Sequence, residues 1–525
     1  MEGLLASLLV IALGLAAPAS AREAVLRPHG ASAPLSLLSG LARRAGLPAP
    51  LPPTPEVRQV HVNMQLQTTP HTLQQASAPA YALPRAPASP ALPHVATDGT
   101  PINADGIAAG SGAPNVDGAV GEHQYVQLAG GRIAVYQKQS GALQLAPVGL
   151  HTLFSGAALD ACGTPQGGTG SVLYDHQARR WIIARLAGKV QCIAVSTTPD
   201  ATGSYRRYGL ALEGPARAPL YADDARMALW NDALYFTFST FDRAQGSYRG
   251  PRICAIARMA LLRGRDAALR CADPGSHFGP AVVATLEGNA TAPTGSAALI
   301  LSLGLADDDN GQRLVLWRWA STSARIGAPL AIPVAPFRPA CGGQSGQACV
   351  RQPHPGGALD ASGERLMPRV AYRANTLVLM HAVQADGGQT GLRWYELRDV
   401  LGAAYVYQQG THAPDLDHRA TGSIGIDKAG NIALGYSVAG ADTPPGIRYT
   451  GRVRSDAPGR LAGEETLVNG TGVQTGDAPR WPVSGALALD PADDCTFWYT
   501  QHYVPVTGQN TWRTRIASFK FRNCM

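Results

Sequence analysis

A strand-turn-strand unit recurs along this chain and limits its fold more than any other feature. Each copy has an alternating apolar run, an Asp or Asn turn and a second alternating run, as at 171–184, 227–238, 423–437 and 486–500. Alternation places every second side chain on one face of a sheet, and the turn residue tolerates a tight bend. Such a hairpin cannot bury its own apolar face, so its recurrence predicts sheets packed side by side.

The spacing of the hairpins favours one all-β architecture. They recur roughly 40 to 75 residues apart, which is typical of a β-propeller of six to eight blades, with seven favoured. A pair of β-sandwiches is the main alternative. We expect the final strand, 514–521, to complete a blade begun near the N-terminus, or a covalent link to close the ring. The expected hairpins lie near 124–146, 171–186, 227–240, 296–319, 366–384, 423–437 and 485–500.

Three segments are predicted along the chain. Residues 1–21 resemble a secretory signal peptide, because a short apolar stretch precedes the small-x-small sequence Ala19-Ser20-Ala21, although no positive charge precedes that stretch. Residues 22–98 are rich in Pro and Ala and are typical of a linker or a pro-segment; one alternating island at 60–66 could form a strand there. Residues 99–525 form the expected propeller domain. No other segment is long and apolar enough to span a membrane.

The charged residues disfavour a nucleic-acid partner. Charged side chains make up only 15% of the chain, and the formal net charge is +7. The positive charge is almost all Arg, scattered along the sequence without a basic run. We therefore expect no nucleic-acid face. The four lysines are Lys138, Lys189, Lys428 and Lys520.

The eight cysteines favour an oxidising compartment. None forms a CxxC pair, which disfavours zinc ribbons and thioredoxin-like sites. An even number behind a signal peptide predicts disulfides and a secreted or periplasmic location, whereas free buried cysteines in a cytosolic protein are the alternative. We favour pairing between neighbours in the sequence: Cys162 with Cys192, Cys254 with Cys271, Cys341 with Cys349, and Cys495 with Cys524.

No nucleophile elbow, H-E-x-x-H, P-loop or dinucleotide fingerprint occurs, so only scattered acids could support catalysis. Glu287 and Glu364 are the candidate catalytic acids, with a solvated loop as the structural alternative. The acids Asp175, Asp360, Asp427 and Asp490 stand in turns and are predicted to be structural. No cofactor or metal site is predicted, although the acidic turn at 306–311 could hold calcium.

A second set of residues could bind a ligand. Arg365, Arg369 and Arg373 lie close together, and alternation puts Arg369 and Arg373 on one face, opposite Tyr372. Arg side chains facing a central channel would attract anionic or carboxylated ligands. An exposed Trp could support a sugar ring, with a core Trp as the alternative. The candidate ligand-binding residues are Arg365, Arg369, His418, Arg419 and Trp481.

Much of 114–524 resembles a family of secreted bacterial proteins with predicted β-propeller folds, mostly uncharacterised and similar in shape to sialidases. The resemblance implies a secreted propeller and no specific reaction. The matching stretches are PNVDGAVGEHQYVQ (114–127), IAVYQKQSG (133–141), CIAVSTTPDATGSYRRY (192–208), LDASGERLMPRVAYR (359–373), HRATGSIGIDKAGNIALGYS (418–437), IRYTGR (447–452) and DDCTFWYTQHY (493–503).

This chain departs from the family pattern where acids are usual. Gly-Thr-Gly at 168–170 replaces Gly-Asp-Pro, and Trp-Pro-Val-Ser at 481–484 replaces Trp-Gly-Asp-Tyr-Ser. The His-Glu pair that usually follows Ala-Tyr-Arg is absent after 373, and His-Arg-Ala-Thr-Gly-Ser at 418–423 replaces His-Arg-Trp-Met-Gly-Ser. The resemblance therefore implies a divergent member in which any acid-dependent site is altered or lost.

These observations predict a secreted propeller that binds an extracellular glycan or a cell-envelope surface. A glycan-active hydrolase or lyase is the first alternative, and it requires two carboxylates in one pocket. A protein-interaction or adhesion module is the second, and it requires a broad exposed apolar patch.

Overall fold

The computed structural model describes most of the chain from Arg22 onward. The predicted signal peptide, the island at 60–66, the acidic turn at 306–311 and Trp481 lie outside the described residues. These are 22–44, 74–75, 95, 97–109, 113–157, 160–165, 169–212, 220–304, 312–343, 347–476 and 485–525.

Seven sheets, each with four antiparallel strands at its centre, form the blades of a β-propeller, and all but the last take these strands from one stretch of sequence. The prediction of an all-β fold with seven blades is confirmed. Blades 1 to 4 comprise, in strand order, Asp117–Val120, Gln124–Ala129, Arg132–Gln137 and Leu143–Gly149; Gly170–Asp175, Arg180–Ala187, Val190–Ser196 and Tyr205–Ala211; Leu220–Leu229, Ala233–Asp242, Tyr248–Ala257 and Ala267–Ala272; and Ala281–Val283, Ala298–Gly304, Arg313–Trp319 and Leu330–Pro333.

The other three blades follow the same plan. Blades 5 to 7 comprise Ala371–Arg373, Thr376–Gln384, Thr390–Arg398 and Tyr405–His412; His418–Ile426, Ile432–Ala439, Gly446–Arg452 and Glu465–Val468; and Ala486–Leu489, Thr496–Tyr503, Arg513–Lys520 and, from the N-terminal side, Ile102–Ala108.

Short elements decorate this ring. Thr285–Leu286 and Arg338–Pro339 pair with blade 5, and Ala348–Val350 pairs with Leu359–Asp360. The expected helical turn near 257–266 is the helix Arg258–Arg263. The other helical pieces are Leu35–Arg44, Leu150–Phe154, Asp160–Gly163 and Ala340–Gly343.

The core lies between neighbouring blades, because each sheet has an apolar layer on both faces. The strand Ala233–Asp242 is buried at all but its last residue, and His418–Ile426 is buried throughout. One cluster joins blades 3, 4 and 5, where the Trp230 and Tyr372 rings meet edge to face at 4.9 Å. Blade packing therefore supplies the partner faces that an isolated hairpin lacks.

The ring closes between the two ends of the propeller domain. Ile102–Ala108 pairs antiparallel with Arg513–Lys520 as the outer strand of blade 7. The expectation that the final strand joins a blade with residues from the N-terminal side is confirmed. The four predicted disulfides are present with the predicted partners, and Cys495–Cys524 lies in this closing blade.

Part of the segment expected to be a linker or pro-segment packs on the propeller. Arg22–Leu26 pairs with the outer strand of blade 3, and Pro28–Ala31 pairs with the outer strand of blade 2. Gln74–Gln75 pairs in parallel with blade 4, and Leu35 is fully buried in the core shared by blades 1 and 2. The folded structure thus includes residues before 99, because these strands satisfy backbone groups at blade edges. No helix in the described ranges is long and apolar enough to cross a membrane.

Candidate functional site

A cavity of about 170 Å³ opens where the first strands of several blades begin. We call it the mouth cavity. Because first strands line the axis of the ring, their starting residues converge at one end of the central channel. Its polar lining includes Asn115 and Asp117 of blade 1, Ser171 of blade 2, Asp224 and Arg226 of blade 3, and Thr285 and Arg369 before blade 5.

Arg369 crosses the channel at the inner end of the mouth cavity. Its guanidinium donates to Glu287 Oε1 at 2.8 Å, to Asp117 Oδ1 at 3.3 Å and to the carbonyl oxygen of Gly118 at 3.0 Å. A much smaller cavity, of about 20 Å³, lies on the other side and shares Arg369 and Leu173 with the first. These two side chains therefore separate the two ends of the channel.

Asp224 is placed by an irregularity in the first strand of blade 3. The strand register shifts between Asp223 and Arg226, and Asp224 has a left-handed backbone with φ of 55°. A bulge of this kind turns a side chain away from its regular direction. The Asp224 carboxylate accepts from Arg226 Nη2 at 2.5 Å and from Arg365. Arg365 in turn donates to the buried Glu364 at 2.6 Å.

The two carboxylates of the mouth cavity have opposite pKa shifts. Burial raises the pKa of Asp117, and the charge of Arg369 offsets this only in part. Burial alone would also raise the pKa of Asp224, but the charges and hydrogen bonds of Arg226 and Arg365 outweigh it and lower that pKa. Both side chains keep 21% of their surface exposed. One cavity thus holds a carboxyl that retains its proton more readily and one that loses it more readily.

Four of the predicted site residues lie at or behind the mouth cavity. Arg369 lines it and pairs with Glu287, whose pKa is raised by burial. Arg365 pairs with Glu364 behind the wall formed by Asp224. Both predicted catalytic acids are therefore held by a guanidinium, and neither lines the mouth cavity.

The predicted alternation of Arg369, Tyr372 and Arg373 is confirmed. Arg369 and Arg373 both donate to Glu287, through its carboxylate and its carbonyl oxygen respectively. Tyr372 points to the other side and packs on Trp230 in the core. Arg373 also pairs with Asp494 at 3.1 Å.

Arg419 lies in a separate cluster between blades 5 and 6. It is fully buried and pairs with Asp415 and with Glu464, the latter at 2.6 Å. Burial raises the pKa of Glu464, but hydrogen bonds from His412 and Arg419 outweigh it and hold that pKa well below its usual range. Two acids therefore neutralise this buried guanidinium without a ligand.

His418 also lies away from the mouth cavity. Its Nδ1 accepts the backbone N–H of Thr390 at 3.0 Å, and burial lowers the pKa of His418 to about 4. Neither His418 nor Arg419 lines the mouth cavity. Trp481, the fifth candidate, falls outside the described residues.

The aspartates predicted to be structural do shape turns. Carboxylate oxygens of Asp175, Asp427 and Asp490 accept backbone N–H groups two or three residues further on. Asp360 accepts the N–H of Ser362 in the same way. Within the described ranges, no group of three or more His, Cys, Asp or Glu side chains is arranged to hold a metal ion.

Sequence reasoning missed Asp117, Asp224 and Arg226 as site residues. Asp117 begins the first strand of blade 1, and a starting position on a first strand is the signal that could have identified it. Asp224 was visible only as half of an acidic dipeptide, because the bulge that turns it into the cavity depends on pairing with the next strand. The expected loss of acids from the site is incomplete, since these two carboxylates line it.

Comparison with known proteins gives likeness at the level of the fold. No family model and no curated protein sequence matches this chain. It is similar to a neuraminidase-like protein from a bat isolate from Guatemala, with TM-score 0.37 and 10% identity over 76% of this chain and 98% of that one. It is also similar to a protein of unknown function from Dyadobacter fermentans, with TM-score 0.36 and 10% identity over 68% and 94%.

A third similar structure is the catalytic domain of an α-L-arabinofuranosidase from Coprinopsis cinerea, with TM-score 0.30 and 10% identity over 83% and 100%. At these identities and scores we take no site or activity from these proteins. The functional proposal below rests on the residues of the mouth cavity.

Proposed function

We propose that this protein is an exported β-propeller that binds one residue of an extracellular glycan or cell-envelope polysaccharide in the mouth cavity. The observation that carries the proposal is the convergence of two guanidiniums and two carboxylates on one small concavity. Arg226, Arg369, Asp117 and Asp224 reach it from three different parts of the ring. A few fixed polar groups in a concave site orient a ligand, and charged groups make its strongest hydrogen bonds.

The size and lining of the cavity favour a single sugar ring. Its 170 Å³ lies below the range of roughly 300–1,000 Å³ typical of drug-sized ligand pockets. Leu173, Met227 and Val283 give it apolar walls for C–H groups, and no described lining residue is aromatic. Trp481 stays a candidate stacking residue from the sequence alone.

The disulfides support export. All eight cysteines are paired, and such bonds form and persist in oxidising compartments. Together with the predicted signal peptide, they favour a secreted or periplasmic protein.

The binding proposal is tested by screening the chain from Arg22 onward against a glycan array and measuring the affinity of the hits. R226Q should weaken binding by about tenfold or more, because a charge-assisted hydrogen bond is lost. R179Q is the control, since the exposed pair of Arg179 with Glu122 lies away from the cavity. Thermal unfolding of both variants checks that they stay folded.

An outcome in which the folded protein binds no glycan would overturn the proposal and favour a protein partner. Equal weakening by R226Q and R179Q would also contradict it.

The adhesion alternative requires a broad apolar patch, and the exposed large apolar side chains in the described ranges come from separate elements: Val25, Leu37, Leu143, Met259, Tyr407, Leu416, Val506 and Met525.

Glycan cleavage is the second candidate function, and the opposite pKa shifts of Asp117 and Asp224 favour it. A carboxyl with a raised pKa can act as an acid beside one that stays ionised. Cleavage would then require protonated Asp117 and ionised Asp224, so activity should fall as pH rises above the Asp117 pKa and as it drops below the Asp224 pKa.

Release of reducing ends from the array hits measures this activity. We expect D117N and D224N each to abolish it, whereas E364Q should reduce it less, because Glu364 does not line the cavity. Product formation that survives both D117N and D224N would exclude this pair. Binding without product would leave the protein as a glycan-binding propeller.

A further inference from the structure

A second cavity, of about 400 Å³, lies between blades 5 and 6 where their first strands end. We call it the interblade cavity. It shares no lining residue with the mouth cavity. Basic side chains outnumber acidic ones in its wall, because five cations face three carboxylates. The cations are Arg373, Arg398, Lys428, Arg452 and Arg454, and the acids are Glu396, Asp427 and Asp456.

Three of the five cations form no ion pair within the described part of the chain, although the carboxylates of Glu396 and Asp456 act on Arg452 at longer range. Arg373 pairs with Asp494 and Arg398 pairs with Glu396 at 2.7 Å. Lys428, Arg452 and Arg454 form no such ion pair. The wall therefore has unbalanced positive charge on side chains from neighbouring turns of blade 6.

Arg452 is the strongest sign of a ligand. It is 3% exposed, and its Nη2 donates to the carbonyl oxygen of Asp456 at 2.5 Å. Its Nε is buried and has no hydrogen-bond partner in the described structure. Nε has no surface open to the cavity, but a buried guanidinium charge is costly, so an anion in the cavity would stabilise Arg452 electrostatically.

The rim of the interblade cavity adds an aromatic ring. Tyr407 is exposed, and the Arg398 guanidinium stacks over one face of it at 3.2 Å. The stack holds Arg398 in place at the rim, and it covers a face that a nucleobase would need. The charges of Glu396, Asp427 and Asp456 would also repel a continuous phosphate backbone, and the exposed Asp456 can accept hydrogen bonds from hydroxyls.

We propose that the interblade cavity is a second glycan site, which binds a saccharide bearing a carboxylate or sulfate group. Lys428, Arg452 and Arg454 hold the oxyanion, and the exposed carboxylate of Asp456 accepts from sugar hydroxyls. The cavity volume falls within the range of roughly 300–1,000 Å³ typical of ligand pockets, which is more than a lone ion needs. This site acts independently of the mouth cavity.

Calorimetric titration of the chain from Arg22 onward tests the proposal. The probes are a galacturonate tetramer, a sulfated tetrasaccharide, an uncharged glucose tetramer, inorganic sulfate and a single-stranded oligonucleotide of matched charge. At least one acidic saccharide should bind and the uncharged one should not. The two acidic probes distinguish a carboxylate ligand from a sulfate ligand.

The double variants replace exposed side chains, so that a loss of affinity is not caused by unfolding. K428Q/R454Q removes two exposed cations of the wall and should weaken the acidic saccharide by about tenfold or more. R263Q/R265Q removes the same charge from exposed positions in blade 3 and should leave the affinity unchanged. R226Q tells the two cavities apart: if it weakens the acidic saccharide and K428Q/R454Q does not, the ligand lies in the mouth cavity and this proposal is overturned.

If the two double variants weaken saccharide binding equally, the binding depends on the overall charge of the protein and not on this cavity, and the proposal is overturned. Inorganic sulfate that binds as tightly as the saccharide would reduce the cavity to an ion site. If the oligonucleotide binds more tightly than either acidic saccharide, and K428Q/R454Q abolishes that binding, the ligand of this cavity is a nucleic acid and the proposal is overturned.

Discussion

Single buried charges link neighbouring blades of this propeller. Asp175 ends the first strand of blade 2 and receives two hydrogen bonds of 2.6 Å from Arg258, which follows the third strand of blade 3. Lys138 follows the third strand of blade 1 and donates to Asp490 at the end of the first strand of blade 7, at 3.0 Å. The two pairs occupy equivalent positions, so a cation of one blade repeatedly neutralises the turn carboxylate of the blade before it.

Loss of Arg258 should therefore be costly. Asp175 is fully buried, and R258A leaves its charge without a partner. We expect a loss of about 3–5 kcal/mol in the free energy of unfolding, measured by urea denaturation. R249A is the control, because Arg249 pairs with Asp242 in a largely exposed position and should cost at most about 1 kcal/mol. Equal losses from the two variants would show that the pair adds nothing beyond a surface contact.

At the scale of strands, sequence alternation was sufficient to predict the elements but not their grouping. The hairpin at 171–186 is the first and second strand of blade 2, whereas the hairpin at 296–319 is the second and third strand of blade 4. Both patterns are identical in a local window, because every adjacent pair of strands in a blade is antiparallel. The grouping depends on contacts between blades, which a local pattern does not contain.

The N-terminal strands show the same limit more clearly. Their Pro- and Ala-rich composition is typical of a linker, yet Arg22–Leu26 and Pro28–Ala31 pair at the outer edges of two blades. An edge strand tolerates such residues because only one side of it must form hydrogen bonds. Composition alone therefore does not predict this pairing, because it does not show that the outer edges of two blades are unpaired.

Two neighbouring leucines test whether this segment supports the folded protein. Leu35 is fully buried, whereas Leu37 in the same helix is 55% exposed. We expect L35A to lower the free energy of unfolding by about 2–5 kcal/mol, because it leaves a cavity in the core of blades 1 and 2. L37A should change it by no more than about 0.5 kcal/mol. If the exported protein is cleaved after this helix, L35A will have no effect on it.

At the scale of the whole molecule, the site depends on ring geometry. Arg365, Arg369, Glu287 and Glu364 could be proposed from the sequence because each stands out within its own segment. Asp224 and Arg226 could not, since they share a cavity with Asp117 and Arg369 only when blades 1, 3 and 5 are arranged around one axis. The same geometry separates Arg419 from Arg369, although both are Arg residues near the start of a first strand.

Closure of the ring is a property of the whole chain as well. Blade 7 takes three strands from the C-terminal end and Ile102–Ala108 from the N-terminal side. Loss of Ile102–Ala108 would therefore open the interface between blade 7 and blade 1. Asp105 reinforces the seam through Arg513 at 3.0 Å and Arg515 at 2.9 Å. Cys495–Cys524 links the outer ends of Thr496–Tyr503 and Arg513–Lys520, the strand that pairs with Ile102–Ala108, across a sequence separation of 29.

Removal of this disulfide should cost more than removal of the short one at Cys341–Cys349, which spans a separation of 8. Chain entropy alone predicts losses of about 3.5 kcal/mol for C495S/C524S and about 2.5 kcal/mol for C341S/C349S. We expect the difference to be larger than this, because the longer bridge also holds the seam that closes the ring. Urea denaturation of the two double variants, with the other disulfides intact, measures both losses. A smaller loss for C495S/C524S would mean that the Asp105 ion pairs and strand pairing close the ring without covalent help.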